Sequence, residues 1–149
     1  MIVKSLEQLN SLSCKVADQL IKNDCIFLIG EIGVGKTTFT RYLINYLQKK
    51  NGEKMTEVLS PTFNLLYEYD LKNLKIMHYD LYRIRDEEEL KHLGIFSGNE
   101  DTIKIIEWPQ LINIPLSDKL EMYIDYAENE NEREVKFKGS ERWKILNEL

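Results

Sequence analysis

Leu28–Ile44 reads LIGEIGVGKTTFTRYLI, and this stretch decides the fold. An apolar run enters a segment with three glycines and leaves into an amphipathic pattern, with Lys36, Thr37 and Thr38 at the junction. Glycine weakens helices and strands because its backbone has the most entropy to lose on folding, so three at one boundary need a reason outside regular structure. Gly30, Gly35, Lys36 and Thr37 satisfy G-x-x-x-x-G-K-[ST] between a strand pattern and a helix pattern, the setting a phosphate-binding loop requires. Glycines let the backbone wrap an anion with its N–H groups turned inward, and the helix beginning near Lys36 offers the same anion its positive dipole end. Lys36 is then expected to reach β and γ phosphates, Thr37 to ligate Mg2+ through its hydroxyl, and Thr38 to donate to an α-phosphate oxygen.

The loop also carries Glu31, a carboxylate that phosphates repel. Its side chain is expected to turn outward, where it serves partner contact or restrains basal turnover.

A phosphate-transfer site needs an acidic metal partner as well, usually at the end of an apolar strand. Two residues qualify: Asp80 after KIMHY and Glu107 after IKII. His78 stands two residues before Asp80 and so shares its face on a strand. It either forms a metal pair with Asp80 or orients Asp80 or a neighbour by hydrogen bonding. Thr62, in SPTF, is placed to act as a switch-loop threonine that senses the γ-phosphate.

Outward from the loop, CIFLI (Cys25–Ile29) is an almost wholly apolar run, as in a strand covered on both faces of a parallel sheet. Phe39, Tyr42, Leu43, Tyr46 and Leu47 recur at helical spacing and predict a helix from Lys36 to about Lys50. Ser5 with Gln8 forms a capping-box signature, and the apolar residues from Leu9 to Ile21 extend that helix from Ser5 to Lys22. VLSPTFNLLYEYD and LKIMHYDLY read as an extended pair forming a hairpin, with a break at Pro61. Asp86 with Glu89 starts a short helix ending near Leu93-Gly94. TIKIIEW (Thr102–Trp108) is a further apolar strand, closed by Pro109. KLEMYIDYA and REVKFKG alternate as strands with one wet face, joined by a turn at ENEN. SERWKILNEL predicts a terminal helix with Trp143, Leu146 and Leu149 on one side. The elements sum to a single α/β domain over residues 1–149, with a mixed, mostly parallel central sheet flanked by helices and antiparallel hairpin additions.

The composition limits the function classes. At 149 residues, 43% hydrophobic and 30% charged, the chain is long enough for one well-buried core. A net charge of -5 and no basic run longer than Lys49-Lys50 argue against a charge-driven grip on nucleic acid. No apolar stretch approaches the roughly 18 residues of a membrane span, and MIVKSLEQLN lacks the apolar core of a signal peptide, so the expectation is a cytoplasmic protein. Cys14 and Cys25 have no metal-type spacing and read as buried free thiols.

The phosphate loop followed by SPTFNLLYEY, HYDLYRI, EEELKHLGI and IIEWPQ, in this order and at these intervals, resembles the TsaE family of bacterial tRNA threonylcarbamoyladenosine biosynthesis. The likeness runs from about Leu28 to Pro109, with a compatible tail. It implies a P-loop NTPase domain that hydrolyses ATP with Mg2+ and binds the TsaD and TsaB proteins, touching tRNA only indirectly through that complex. Within the resemblance, Gly33, Val34, Gly35, Lys36, Thr37 and Thr38 bind the nucleotide phosphates, and Thr37 and Glu107 hold Mg2+. Asp80 looks like the acid that positions water or metal, Thr62 the switch residue, Trp108 the motif tryptophan beside the site, and Arg133 a further nucleotide contact. Glu31 replaces the usual aspartate and Val34 a common alanine, and neither removes a required atom.

Three other classes share the loop. A small-molecule or nucleotide kinase usually carries an arginine-rich lid, and no such insertion is visible among Arg41, Arg83, Arg85, Arg133 and Arg142. A GTPase lacks support because no NKxD signature occurs. A nucleotide-gated binding module overlaps with the family reading. No arginine is offered to the γ-phosphate from within the loop, so hydrolysis by the isolated chain is expected to be slow and stimulated by partners.

Overall fold

The computed structural model describes residues 1–96, 101–115 and 118–149. Seven strands form one sheet: β1 (Ile2–Val3), β2 (Cys25–Ile29), β3 (Leu66–Leu71), β4 (Leu74–Asp80), β5 (Thr102–Glu107), β6 (Leu120–Tyr126) and β7 (Arg133–Gly139). Their spatial order is β1-β7-β6-β2-β5-β4-β3. The central pairings β6·β2, β2·β5 and β5·β4 are parallel, whereas β3·β4, β6·β7 and β1·β7 are antiparallel. This is the mixed sheet the sequence predicts, with both expected hairpins. β2 sits in the middle because nearly every CIFLI side chain is apolar and both of its faces are covered.

Helices α1 (Leu6–Gln19) and α2 (Lys36–Lys50) lie on one face, where Leu9, Val16, Phe39 and Leu43 pack against Ile26, Ile105 and Ile124. On the other face, Leu90 of α3 (Glu87–His92) joins Ile95 and Ile112 over Phe27, Tyr79 and Ile106. Ser5 caps α1 by accepting from the Gln8 amide, and Asp86 caps α3 by accepting from the Glu89 amide, as the sequence signatures predict.

Five details differ from expectation. α1 stops at Gln19 rather than Lys22, leaving Ile21 exposed. Asp24 accepts from the Ile21 amide and the Asn23 amide donates to Thr102, so these residues are committed to the entry into β2. The strand predicted around Pro61 begins only at Leu66, after a turn in which the Leu65 amide donates to the Pro61 carbonyl. The terminal helix is a 3-10 helix, Glu141–Glu148, with Trp143 and Leu146 buried and Leu149 exposed. Its three-residue turn stacks Trp143 above Leu146, while the Asn147 side chain bonds both the amide and the carbonyl of Phe137 and ties the segment to β7. Finally, Cys25 is buried but Cys14 is only half-buried. β1 has no counterpart in the sequence reading, since two residues carry no periodicity.

Gly30 closes β2 where the Ile124 carbonyl of β6 comes closest: an added Cβ would stand 2.3 Å from that oxygen and 2.9 Å from Val34 Cγ1. Gly30→Ala is therefore expected to destabilise the fold by about 1–3 kcal/mol, seen in thermal unfolding as roughly 2–4 °C per kcal/mol. Burial pushes the Cys25 thiol up to about 12. Iodoacetamide at pH 8 should therefore modify Cys14 alone in the folded protein, and a mass spectrum showing both thiols alkylated at equal rates would contradict the fold at β2.

Candidate phosphate-binding site

The carboxyl ends of β2, β5 and β4 stand side by side, and this is where α/β sheets bind ligands. β2 runs into the loop Gly30–Gly35, and α2 leaves it. Gly33 has φ +78° and Gly35 φ +124°, values that side-chain-bearing residues rarely adopt. Gly35 is the N-cap of α2 and supplies no side-chain cap, so the first amides of a 15-residue helix open toward the site.

Register places the two acids. Asp80 ends β4 opposite Glu107 at the end of β5, and Glu107 in turn lies beside Leu28 of β2. Both carboxylates are buried, at 4% and 2% exposure. Thr37 Oγ1 sits 3.2 Å from each Glu107 oxygen. Asp80 Oδ2 accepts from the Thr62 hydroxyl at 2.8 Å, and Oδ1 accepts from the Tyr82 amide at 3.0 Å. The loop before β3 is thereby latched to the end of β4. His78 reaches the neighbour rather than Asp80: its Nε2 lies 2.7 Å from Glu107 Oε2.

Lys36 is 5% exposed, and its Nζ donates to the carbonyls of Gly30 and Glu31 at 2.5 and 2.8 Å. Burial lowers its pKa, and the charges of Glu107 and Asp80 act in the opposite direction. The Trp108 ring lies 4.4 Å from Lys36 Nζ and is tilted against Tyr82 at 4.8 Å. Trp108 adopts φ +58°, an unusual backbone for a bulky residue that brings the indole over the lysine. Tyr82, Ser60 and Ile32 also line the cavity and were not singled out in the sequence. Their positions follow from how the chain turns after β4 and before β3, which no local pattern announces.

The resulting cavity, about 270 Å³, brings together Gly33, Gly35, Lys36, Thr37, Thr38, Thr62, Asp80 and Glu107. Val34 and Arg133 lie elsewhere. The Val34 side chain is in the core and its amide donates to the Glu31 carbonyl. Arg133 lines an adjoining groove of about 330 Å³, stacks 4.3 Å from the Tyr126 ring, and donates to the Val34 carbonyl from behind the loop. The Glu31 side chain is exposed, as charge repulsion predicts.

The donors around Thr37 are hard oxygens, the chemistry that Mg2+ selects. No group of three or more His, Cys, Asp or Glu that could hold a metal ion exists among the described residues. One hydroxyl and one carboxylate, Thr37 and Glu107, are a donor set that fits a hard cation taking its other ligands from phosphate oxygens and water. No described helix is long and apolar enough to cross a membrane.

The sequence model of one protein family, threonylcarbamoyl adenosine biosynthesis protein TsaE, matches residues 3–135. Among curated relatives named tRNA threonylcarbamoyladenosine biosynthesis protein TsaE, that of Rickettsia conorii is 39% identical over 110 residues, 74% of this chain and 61% of the relative. That of Rickettsia felis is 38% identical over 75% of this chain and 63% of its own length. The Bacillus subtilis protein of the same name is 34% identical over 76% of this chain and 68% of its own. The match thus spans less than two thirds of the two Rickettsia relatives. The crystal structure of YdiB from Bacillus subtilis superposes with a TM-score of 0.69 at 26% identity, covering 99% of this chain and 90% of that one. With the phosphate loop, both strand-end acids and the family pattern in one chain, this protein belongs to the TsaE family of threonylcarbamoyladenosine biosynthesis.

Proposed function

We propose that this chain binds ATP with Mg2+, hydrolyses the nucleotide slowly on its own, and acts with TsaD and TsaB in threonylcarbamoyl modification of the adenosine beside the tRNA anticodon. The observation that carries the reading is the convergence of Lys36, the Thr37–Glu107 contact and the Thr62–Asp80 pair on the open end of α2. In this reading the helix amides and Lys36 hold the β and γ phosphates, and Thr37 with Glu107 holds the cation. Mg2+, when bound, supplies charge neutralisation at the phosphate oxygens. Asp80 orients the attacking water and takes its proton at Oδ2, and Thr62, already bonded to that oxygen, couples the loop before β3 to the γ-phosphate. The cavity accommodates a polyphosphate, leaving the base to the adjoining groove between α1 and Arg133.

None of the five arginines lines the phosphate cavity. An arginine finger contributes about 10³–10⁵ in rate, so a partner is needed to supply or organise equivalent charge. The net charge of -5 fits a chain that meets tRNA through its partners rather than directly.

ATP turnover measured with and without purified TsaD–TsaB tests the reading. Stimulation by the partners, and a stoichiometric complex formed with ATP and lost with ADP, is the expected outcome. Phosphorylation of an added acceptor with no partner effect points to a kinase instead, and turnover of tens per second by the isolated chain contradicts the slow-alone reading. Lys36→Ala should lower hydrolysis by about 10²–10³-fold, as loss of a donor to developing charge does elsewhere. Glu107→Ala should chiefly raise the Mg2+ concentration needed for turnover.

A further inference from the structure

We propose that His78 is a positioning residue for Glu107, a hydrogen-bond donor that fixes the carboxylate toward Thr37 and so sets the affinity for the divalent cation. The inference rests on the Mg2+–nucleotide reading above and deepens it.

His78 is fully buried on β4, between β3 and β5, facing the same side of the strand as Asp80. Its strand partner in β5 is Ile105, two residues before Glu107, so the pleat brings the ring and the carboxylate to one side of the sheet. The ring makes one polar contact, Nε2 to Glu107 Oε2 at 2.7 Å, and Nδ1 has no hydrogen-bond partner among the described residues. A buried polar atom left without a partner costs stability. A histidine placed only to fill the core would be better replaced by leucine. The residue therefore has its use in the one bond it makes.

The chemistry of that bond selects histidine. A carboxylate accepts, so in this contact Nε2 carries a proton and donates it to Oε2. The imidazole restrains Glu107 through one directed bond from a stiff ring, whereas a lysine would reach it on a flexible four-carbon stem. It engages Oε2 alone, and the carboxylate it holds keeps both oxygens 3.2 Å from Thr37 Oγ1. A glutamate with three rotatable side-chain bonds is thereby held before any cation arrives, which removes an ordering cost from metal binding.

The chain has only two histidines, His78 and His92, so a long-range 15N–1H spectrum of the metal-free protein resolves the buried ring. A proton on Nε2 is expected, and a ring protonated on Nδ1 alone overturns the proposal. In parallel, Mg2+ is titrated into the protein with a fluorescent ATP analogue. His78→Leu should raise the Mg2+ midpoint by about 10–100-fold, the usual loss when a group orienting a metal ligand is removed. Its affinity for the analogue without Mg2+ should stay unchanged, and His78→Gln, which keeps a donor, should recover most of the midpoint. An unchanged midpoint in His78→Leu overturns the role of His78 alone. A wild-type protein that shows no Mg2+-dependent nucleotide binding overturns the underlying reading as well. If His78→Leu does not fold, the position of the ring proton and the glutamine variant decide.

Discussion

The close passage of the Ile124 carbonyl over Gly30 is the constraint on which the site depends. β2 pairs in parallel with β6 up to its last residue, Ile29 opposite Tyr123, and the absence of a Cβ at position 30 leaves room for the Ile124 carbonyl that follows. Gly30 also begins the turn that carries the chain over the sheet edge into α2. Moving either strand to make room would shift β2 against β5, and with it Glu107 against Thr37. Sheet packing and anion-site geometry are thus one problem, solved by glycines whose cost in backbone entropy is offset by what they let approach.

Around that junction the charges are arranged in balance. Two buried carboxylates are held at neighbouring strand ends, each with a hydroxyl partner, Thr37 for Glu107 and Thr62 for Asp80. Lys36 lies among them, bonded to loop carbonyls and covered by the Trp108 ring. Such groups are costly to bury unless paired. Here each is matched by hydrogen bonds that also fix its direction, so the desolvation that threatens the fold is what makes the site stiff. The site's preorganisation and its strained Trp108 backbone belong to the same device.

Much of this was legible along the chain. The G-x-x-x-x-G-K-T spacing, the apolar strands that end in Asp80 and Glu107, and the capping residues Ser5 and Asp86 are local signals with local causes. Where the reading missed, a distant contact prevailed over the local pattern. α1 lost its last residues because Asp24 and Thr102 hold the Ile21–Asn23 segment for β2. The C-terminal helix tightened to 3-10 because Asn147 is bound to Phe137 on β7. Cys14 was placed too deep because its apolar neighbours in sequence point elsewhere on α1.

The sequence by itself determined the fold class, the glycine loop between β2 and α2 and the strands that end in Asp80 and Glu107, because each rests on interactions between residues close in the chain. Only the tertiary structure decided which acid meets which hydroxyl, that His78 serves Glu107 rather than Asp80, and that Arg133 braces the loop from behind. Those pairings depend on the strand order of the whole sheet and on its register, which bring residues 18 to 99 positions apart within hydrogen-bond distance. No pattern along the chain encodes that register, since it is set by the packing of whole strands against two helical layers.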